Sequence, residues 1–476
     1  MSNFHISLKW SFLGEIVSKA ISPLILIVLA RLLTPEDFGV VVAATMVISF
    51  SQFIWEAGLG KAIIQYQGAR DPAANAAFWI NVLLGVIVAL GLMFSAGFIA
   101  ESVFRDSRVT TVLQVMSLQV VFSAIGAVHS ALLQKDMKFK KLFWVRIATT
   151  LTPALVSIPM AISGWGYWAL VGGSLTGQLL QFFTLWVVST WRPKLSFDFG
   201  IAKDLVKFGR WVAATAVLGW FFNWADSLAV GAFLSSKELG LYRTGNAFVQ
   251  MIYSIIFGSL LPVLYSHLAN FSKDLEAIRN ILIQVIQMMT FLSLPLAAIL
   301  FANSEVIETL VFGFQWSGIG LIVSVMSLVH GIAWIVGANG EVFRAIGLPA
   351  IETRILAISV LIYTIGYLVS IQFGFETFIW ARLGLTLVGV MLQLWFLDRV
   401  LAIRMAPIIK YASTLFAICA FSVLVVFQLD LQQRRFGMLL ESTLSVVLVI
   451  VPLLFLERRN LLPILAEIIR KSIRSS

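Results

Sequence analysis

The sequence predicts an all-α membrane protein of about 14 spans, arranged as two parallel six-helix lobes and two further helices. Composition is the first reason, because 59% of the 476 residues are hydrophobic and 12% are charged, against about 25% charged in soluble proteins. Apolar runs of about 20 residues, the length that crosses a bilayer as a helix, are the second. A repeat along the chain is the third.

The runs are continuous rather than alternating, which favours helices over a membrane barrel. Lys9 is the only basic residue ahead of the first run and no cleavage site follows, so the first span is expected to stay in the protein.

Cys419 is the only cysteine. Intrachain disulfides and thiolate metal sites are therefore excluded, and we expect no cofactor, metal or catalytic residue.

Each span follows from one apolar run bounded by charged or turn-forming residues. In chain order the predicted spans are 8–33, 38–59, 74–99, 109–132, 143–163, 165–190, 205–234, 239–266, 277–301, 318–341, 351–373, 377–397, 409–428 and 438–456.

Charge distribution predicts the orientation. With an even number of spans, 25 Lys and Arg residues fall on the side of the termini, 6 on the other side and 3 within or at the rim of spans. The positive-inside rule then places both termini in the cytoplasm. The net charge of +10 is thus a topology signal rather than a sign of nucleic-acid binding. The basic ending after Leu456 is expected to lie on anionic membrane lipids as an amphipathic helix.

An internal repeat appears when the chain is shifted by 201 residues. The shift lays Lys9-Trp10 on Arg210-Trp211, Asp37-Phe38-Gly39 on Glu238-Leu239-Gly240, and Val128-His129 on Val329-His330. Because six spans separate the copies, they insert in the same orientation. The predicted domains are a first lobe at 1–190, a cytoplasmic linker at 191–204, a second lobe at 205–400, and accessory helices with a basic tail at 401–476.

Several stretches of the first lobe resemble a known family. They are LKWSF (8–12), ARLLTPEDFG (30–39), EAGLGKAIIQ (56–65), FWINVLLG (78–85), LLQKDMKFKKL (132–142) and GWGYWALVGGSL (164–175). These resemble the Wzx-type polysaccharide transporters of the MOP flippase superfamily, and look closest to colanic-acid and teichuronic-acid exporters. The resemblance implies a V-shaped central cavity and movement of an undecaprenyl-pyrophosphate-linked oligosaccharide from the inner to the outer leaflet of the bacterial inner membrane. Polysaccharide polymerases or co-assembly proteins would be partners.

Ionisable residues within spans are costly and need a reason. Glu15 and Lys19 lie four residues apart near the middle of the first span, where Lys19 would meet a pyrophosphate; alternatively, the two form a self-neutralised pair. Arg31 lies at the start of the ARLLTPEDFG stretch (30–39), a polar hinge between the first two spans, and is either a substrate contact or an interface anchor. Glu56 and Lys61 flank a glycine-rich helix end that would serve as a gate, or they are solvated cap residues.

The second lobe supplies further candidates. Asn223 and Asp226 are expected to couple transport to H⁺ or Na⁺, the alternative being a hydrogen-bonded structural Asp. Arg210 marks the cytoplasmic start of the seventh span, while Arg243 and Arg382 lie near outer helix ends and would receive the glycan or snorkel to the interface.

Three functions compete at this point. The first is a flippase for lipid-linked oligosaccharides. The second is a MATE-type cation-coupled antiporter of small molecules, which would have a more acidic cavity. The third is a membrane polymerase or glycosyltransferase, which would need a large external loop. No Walker A stretch is present, so direct use of ATP is not expected.

Overall fold

The computed structural model describes residues 10, 17, 21–258, 260–261, 264, 268, 274–428 and 443–453. Within these ranges all regular elements are helical, and eleven helices are long and apolar enough to cross a membrane. The all-α, multi-pass class is therefore confirmed. The predicted spans 8–33, 239–266 and 438–456 lie partly outside the described residues, and the count of about 14 stays a prediction.

Two compact units divide the chain. The first comprises Met1–Thr244 and Tyr363–Phe375. Its helices are α1 (Ile21–Leu32), α2 (Pro35–Glu56), α3 (Leu59–Gln65), α4 (Arg70–Ile99), α5 (Arg108–Met116), α6 (Leu118–Lys135), α7 (Phe139–Ile162), α8 (Tyr167–Val188), α9 (Phe199–Phe233) and the first part of α10 (Ser236–Phe257). The predicted seventh span and the start of the eighth thus cluster with the first six, and the division into lobes at 191–204 remains a prediction.

The second unit comprises Gly245–Ile362 and Glu376–Ser476. Tyr253, on α10, is buried there and donates hydrogen bonds to the carbonyl oxygens of Ser293 and Ser327, each at 3.1 Å. The further helices are α11 (Leu275–Ala302), α12 (Ile319–Ala333), α13 (Asn339–Ala345), α14 (Pro349–Ser370), which continues into the first unit, α15 (Phe375–Leu401), α16 (Met405–Gln428) and α17 (Thr443–Leu453).

Helices α7 and α8 form a tight hairpin in the first unit. A Cβ atom on Gly173 of α8 would overlap the hydroxyl of Ser157, and one on Gly177 would lie 2.8 Å from the ring of Pro153. Small residues let helix backbones approach closely where lipid offers no hydrophobic drive for association. The glycines of α8 therefore fit this helix against the two-proline helix α7.

Helix α9 starts at Phe199, six residues ahead of its predicted span. The side chain of Asp198 caps it by accepting from the backbone N–H groups of Gly200 at 2.8 Å and Ile201 at 3.1 Å. The charged residues of its first turns make the predicted apolar span start later, whereas the Asp198 cap lets the helix itself start at Phe199. The second half of the predicted linker 191–204 is therefore helical, and the linker itself stays a prediction.

Candidate functional site

Two matching elbows join helix pairs in the first unit. At the start of α2, Asp37 Oδ2 accepts from Thr34 N at 2.9 Å, and Thr34 Oγ1 accepts from Asp37 N at 3.3 Å. At the start of α10, Glu238 Oε2 accepts from Ser235 N at 3.0 Å and from the Ser235 hydroxyl, and Ser235 Oγ accepts from Glu238 N at 3.5 Å. Both are reciprocal capping boxes, and the partners are related by the 201-residue shift.

The starts of α2 and α10 cross each other through two glycines. A Cβ atom on Gly39 would overlap the carbonyl oxygen of Ser236, and a Cβ atom on Gly240 would overlap the carbonyl oxygen of Pro35. The shift of 201 carries Pro35 to Ser236 and Gly39 to Gly240. The contact, which we name the outer crossing, is therefore reciprocal, as an approximate twofold axis requires.

The other end of α2 is held by a second glycine contact, which we name the inner crossing. The chain turns between α2 and α3 at Ala57 and Gly58, both left-handed, with φ of 44° and 70°. A Cβ atom on Gly58 would lie 2.5 Å from the carbonyl oxygen of Gly209 on α9, and one on Gly209 would overlap that of Ala57. Helix α2 thus touches α10 at one end and the α9 backbone at the other.

Asp106 braces the outer crossing. It lies between α4 and α5 and accepts a hydrogen bond from the Ser236 hydroxyl at 2.6 Å and an ion-pair contact from Arg108 at 2.8 Å. Burial by itself raises the pKa of Asp106, but hydrogen bonds from Arg108 and Ser236 outweigh burial and hold its pKa below the ordinary value. The carboxylate is therefore charged at neutral pH and fastens the start of α10.

The predicted coupling residues form one polar group between α9 and α10. Asp226 is 2% exposed and accepts hydrogen bonds from the Tyr242 hydroxyl at 2.9 Å and the Ser227 backbone N–H at 2.6 Å. The hydrogen-bond partner of Asp226 on a neighbouring helix, which the sequence did not reveal, is thus Tyr242. These donors satisfy a carboxylate within a membrane-spanning helix.

Arg243 belongs to the same group. Its guanidinium lies 3.9 Å from the ring centre of Trp224 and donates to the carbonyl oxygen of Asn223 at 3.3 Å. The Asn223 amide donates to the carbonyl oxygen of Gly219 at 2.7 Å. Three predicted residues, Asn223, Asp226 and Arg243, therefore come together.

The other predicted cations are dispersed. Arg31 is exposed at the end of α1, and Arg210 is exposed with its guanidinium 5.6 Å from the ring of Trp211. Arg382 is partly buried on α15 in the second unit. Glu15 and Lys19 lie outside the described residues.

The predicted gate residues line a polar cavity of about 490 Å³ among α2, α3, α6 and α8. Glu56 accepts a hydrogen bond from Gln52 at 2.7 Å, and Lys61 is exposed on the same wall. The cavity also contains three glutamines of other helices: Gln134, Gln178 and Gln181. Amide side chains therefore line several walls of this cavity, and the gating role of Glu56 and Lys61 stays a prediction.

A second cavity of about 370 Å³ adjoins it and opens among α6, α7 and α8. Arg146, Thr149 and Trp10 line it, and it shares Gln134 and Gln181 with the first cavity. Sequence reasoning counted Arg146 only as a topology charge and overlooked the glutamines. The available signal was an amide pair, Gln178 and Gln181, within an otherwise apolar run.

Comparison with known proteins gives a consistent result. A family model described as "Polysaccharide biosynthesis protein" matches residues 28–320, more than half of the chain. The succinoglycan biosynthesis transport protein ExoT of Rhizobium meliloti is 25% identical over 68% of this chain, and the match spans 65% of ExoT. The teichuronic acid biosynthesis protein TuaB of Bacillus subtilis is 23% identical over 92% of this chain and 91% of its own.

Among solved structures, the lipid II flippase MurJ in its inward closed conformation is similar in fold. The TM-score is 0.76 at 13% identity, covering 94% of this chain and 98% of that chain. This likeness agrees with the MOP-type fold that the sequence predicts. With the match to residues 28–320, it follows that the chain belongs to this family of polysaccharide biosynthesis proteins.

Proposed function

We propose that this protein is a flippase that moves an undecaprenyl-pyrophosphate-linked oligosaccharide from the cytoplasmic to the outer leaflet of the bacterial inner membrane, for surface polysaccharide synthesis. Family membership supports the pathway, because ExoT and TuaB are named for succinoglycan transport and teichuronic acid synthesis. The observation in this chain that carries the proposal is the polar cavity with cations inside membrane-spanning helices of the first unit.

Transport by alternating access requires closures on two sides that open in turn. The outer crossing at Gly39 and Gly240 is proposed as the outer closure, and the inner crossing at Gly58 and Gly209 as the inner one. Both join α2 to the helices α9 and α10 of the predicted second lobe. Movement of α9 and α10 against α2 would open one crossing while the other holds.

The remaining predicted sites are part of this proposal. Glu15, Lys19, Arg31, Arg210, Arg243 and Arg382 would contact the substrate, Glu56 and Lys61 would gate its entry, and Asn223 with Asp226 would couple transport to H⁺ or Na⁺. Asp226 suits this role by chemistry, since it is the carboxylate that α9 carries between the two crossings.

A MATE-type antiporter of cationic molecules is the second candidate, and it has the same type of fold. Lys61 and Arg146 make no ion pair within the described ranges, and such cations favour an anionic headgroup over a cationic drug. A polymerase is less well supported, because the residues from 304 to 316 on the predicted outer side form short helical turns rather than a large loop.

The proposal also includes the topology and the partner. The protein would insert with both termini in the cytoplasm and would assemble with a polysaccharide polymerase.

The proposed function is tested by export of polysaccharide by the intact protein in a strain that lacks its own flippase. Expression should restore surface polysaccharide and clear the lipid-linked intermediate from the inner leaflet. If the intermediate stays in the inner leaflet while the protein is present in the membrane, the proposed function is wrong. Lys19→Ala is expected to abolish the restored export.

A further inference from the structure

The two cavities of the first unit share part of their lining, and we name them together the chamber pair. They share Ser130 and Gln134 on α6 and Gln181 and Leu185 on α8. Their volumes, about 370 and 490 Å³, each fall within the range of about 300–1,000 Å³ of small-ligand pockets. A ligand with two chemically distinct parts would fit across the shared wall.

The amides of the larger chamber are mostly held in place. Gln178 Nε2 donates to Ser123 Oγ at 2.6 Å, and Gln134 Nε2 donates to Ser130 Oγ at 3.3 Å. Each therefore keeps its carbonyl oxygen for another donor. Gln181 makes no hydrogen bond within the described parts of the chain. A surface of oriented amides and one uncommitted amide suits the hydroxyl groups of a sugar.

The cations near the chambers differ in whether they are already engaged. Lys135 donates to the carbonyl oxygens of Ile63 at 2.8 Å and Tyr66 at 2.6 Å. Lys138 pairs with Asp136 at 2.8 Å, and Lys141 donates to a backbone carbonyl at 3.0 Å. These lysines are each engaged with a partner on another segment or turn, and none of them lines either cavity.

Arg146 is different. It makes no ion pair or side-chain hydrogen bond within the described residues, and it lines the smaller chamber. It lies seven residues after the start of α7 at Phe139, which is roughly 10 Å along the helix axis. A cation so far within a spanning helix is costly unless a counter-charge meets it. Lys61, also without an ion pair there, lies on the wall of the larger chamber.

We infer that the chamber pair is a binding site for the phosphorylated sugar headgroup of the substrate, an inference that rests on the proposed flippase function. The phosphate lies in the smaller chamber and accepts hydrogen bonds from Arg146. The first sugar lies in the larger chamber, where its hydroxyls meet Gln178 and Gln181, and Lys61 neutralises the remaining charge. The planar guanidinium matches phosphate geometry.

The test measures binding by the purified full-length protein in phosphatidylcholine nanodiscs. The probes are geranylgeranyl pyrophosphate with and without an attached N-acetylglucosamine. Arg146→Gln is expected to weaken both probes about tenfold, the scale of one hydrogen bond to a charged group, and Arg146→Lys is expected to recover part of the loss. Gln181→Leu is expected to weaken only the sugar-bearing probe. Lys207→Gln, at an exposed position away from the cavities, is the control and should bind both probes as the wild type does.

Folding is checked by size-exclusion profile and Tm for each variant. Equal binding of both probes by wild type and Arg146→Gln would overturn the assignment. So would displacement of the probe by phosphatidylglycerol with the same dependence on Arg146, since the cation would then bind membrane lipid. Either result leaves the flippase function standing if the wild type restores export, whereas failure of export in cells contradicts the function itself.

Discussion

The outer and inner crossings hold opposite ends of α2 by different means. In the outer crossing, each glycine lies in a helix and faces a backbone carbonyl of the other helix. The two glycine–carbonyl contacts are related by the 201-residue shift. In the inner crossing, Gly58 lies in a left-handed turn while Gly209 lies in a helix, and the same shift carries Gly209 back to Leu8. The outer crossing is thus built from positions that the repeat relates, whereas the inner crossing joins a turn to a helix position that the repeat does not pair with it.

This difference implies different stiffness. Two helix starts fixed by capping boxes have no soft element that can absorb a displacement. The turn at Ala57 and Gly58 lies between the end of α2 and the short helix α3, so we expect its backbone to adjust more readily than that of a capped helix start. We therefore expect the outer crossing to behave as a two-state contact and the inner crossing to adjust more gradually.

The largest effect is expected for Gly39→Ala and Gly240→Ala. The added methyl group meets a backbone carbonyl rather than a movable side chain, so the outer crossing must open. Overpacking costs about 1–3 kcal/mol, which shifts a two-state equilibrium about 5- to 150-fold. Export should fall accordingly. Val40 is 0% exposed. In a Cys419→Ala background, the cysteine of a Val40→Cys variant should react faster with an impermeant maleimide added outside when the crossing carries either alanine than when it carries both glycines.

Gly91→Ala is the matched control for that experiment. Gly91 is a helical glycine of the same unit, and an added Cβ atom would meet nothing within 4 Å. The rate at which the cysteine at position 40 is labelled is compared in the Gly39→Ala and Gly91→Ala backgrounds. Equal rates would show that the outer crossing is not a closure.

Gly209→Ala should act on the opposite side and more weakly. Its methyl group meets the carbonyl of Ala57, which belongs to the turn that can adjust. The expected result is faster labelling of a cysteine at Leu59, also 0% exposed, from the cytoplasmic side, with partial loss of export. Gly219→Ala on the same helix, where a Cβ atom would meet nothing within 4 Å, is the control. Labelling from the outside instead would reverse the proposed sidedness.

The sequence predicted the repeat that relates Asp37 to Glu238, and the structure shows why the shift preserves this pair, because both residues complete a local capping box. It did not predict that Gly39 faces Ser236, since a crossing depends on helix packing between residues far apart in the chain. The same applies to the inner crossing, which the repeat does not encode. Glu56 and Lys61 were identified by their charge. Gln178 and Gln181 were missed because two neutral amides do not change the apolar mean hydropathy of a spanning segment.

The repeated histidines illustrate the same limit. The shift pairs His129 with His330, yet His129 is fully buried beside Trp186 and Trp191, while His330 lies 2.9 Å from the amide oxygen of Asn246. Equivalent sequence positions thus acquired different surroundings. Repeats predict the backbone more securely than the environment of a side chain.

Asp226→Asn distinguishes a coupling role from a structural one, and so reveals whether an ion controls either crossing. We expect transport in proteoliposomes to lose its dependence on a pH or Na⁺ gradient, with only a modest decrease in Tm, because an amide still accepts from Tyr242. Tyr242→Phe is the control and should lower Tm while leaving the gradient dependence intact. Wild-type transport that is indifferent to both gradients would remove Asp226 from the coupling mechanism.

The smallest effect is expected from acidification of the outer side, which tests whether charge supports the outer crossing. The pKa of Asp106 is lowered from 3.8 in the folded state, so its carboxylate stabilises the closed arrangement at pH values above 3.8, and this contribution is lost as the pH falls through the lower, folded pKa. The thiolate that reacts with maleimide becomes scarcer as the pH falls, so labelling at position 40 is expressed relative to that of an exposed reference cysteine at the same pH. This ratio should be constant from neutral pH to about pH 5 and rise only below the ordinary range of a carboxyl group. Asp106→Asn should show the faster labelling already at neutral pH and no further rise on acidification. A wild-type rise near pH 6 would point to a different titrating group, and the ion pair with Arg108 would then not be what fastens the start of α10.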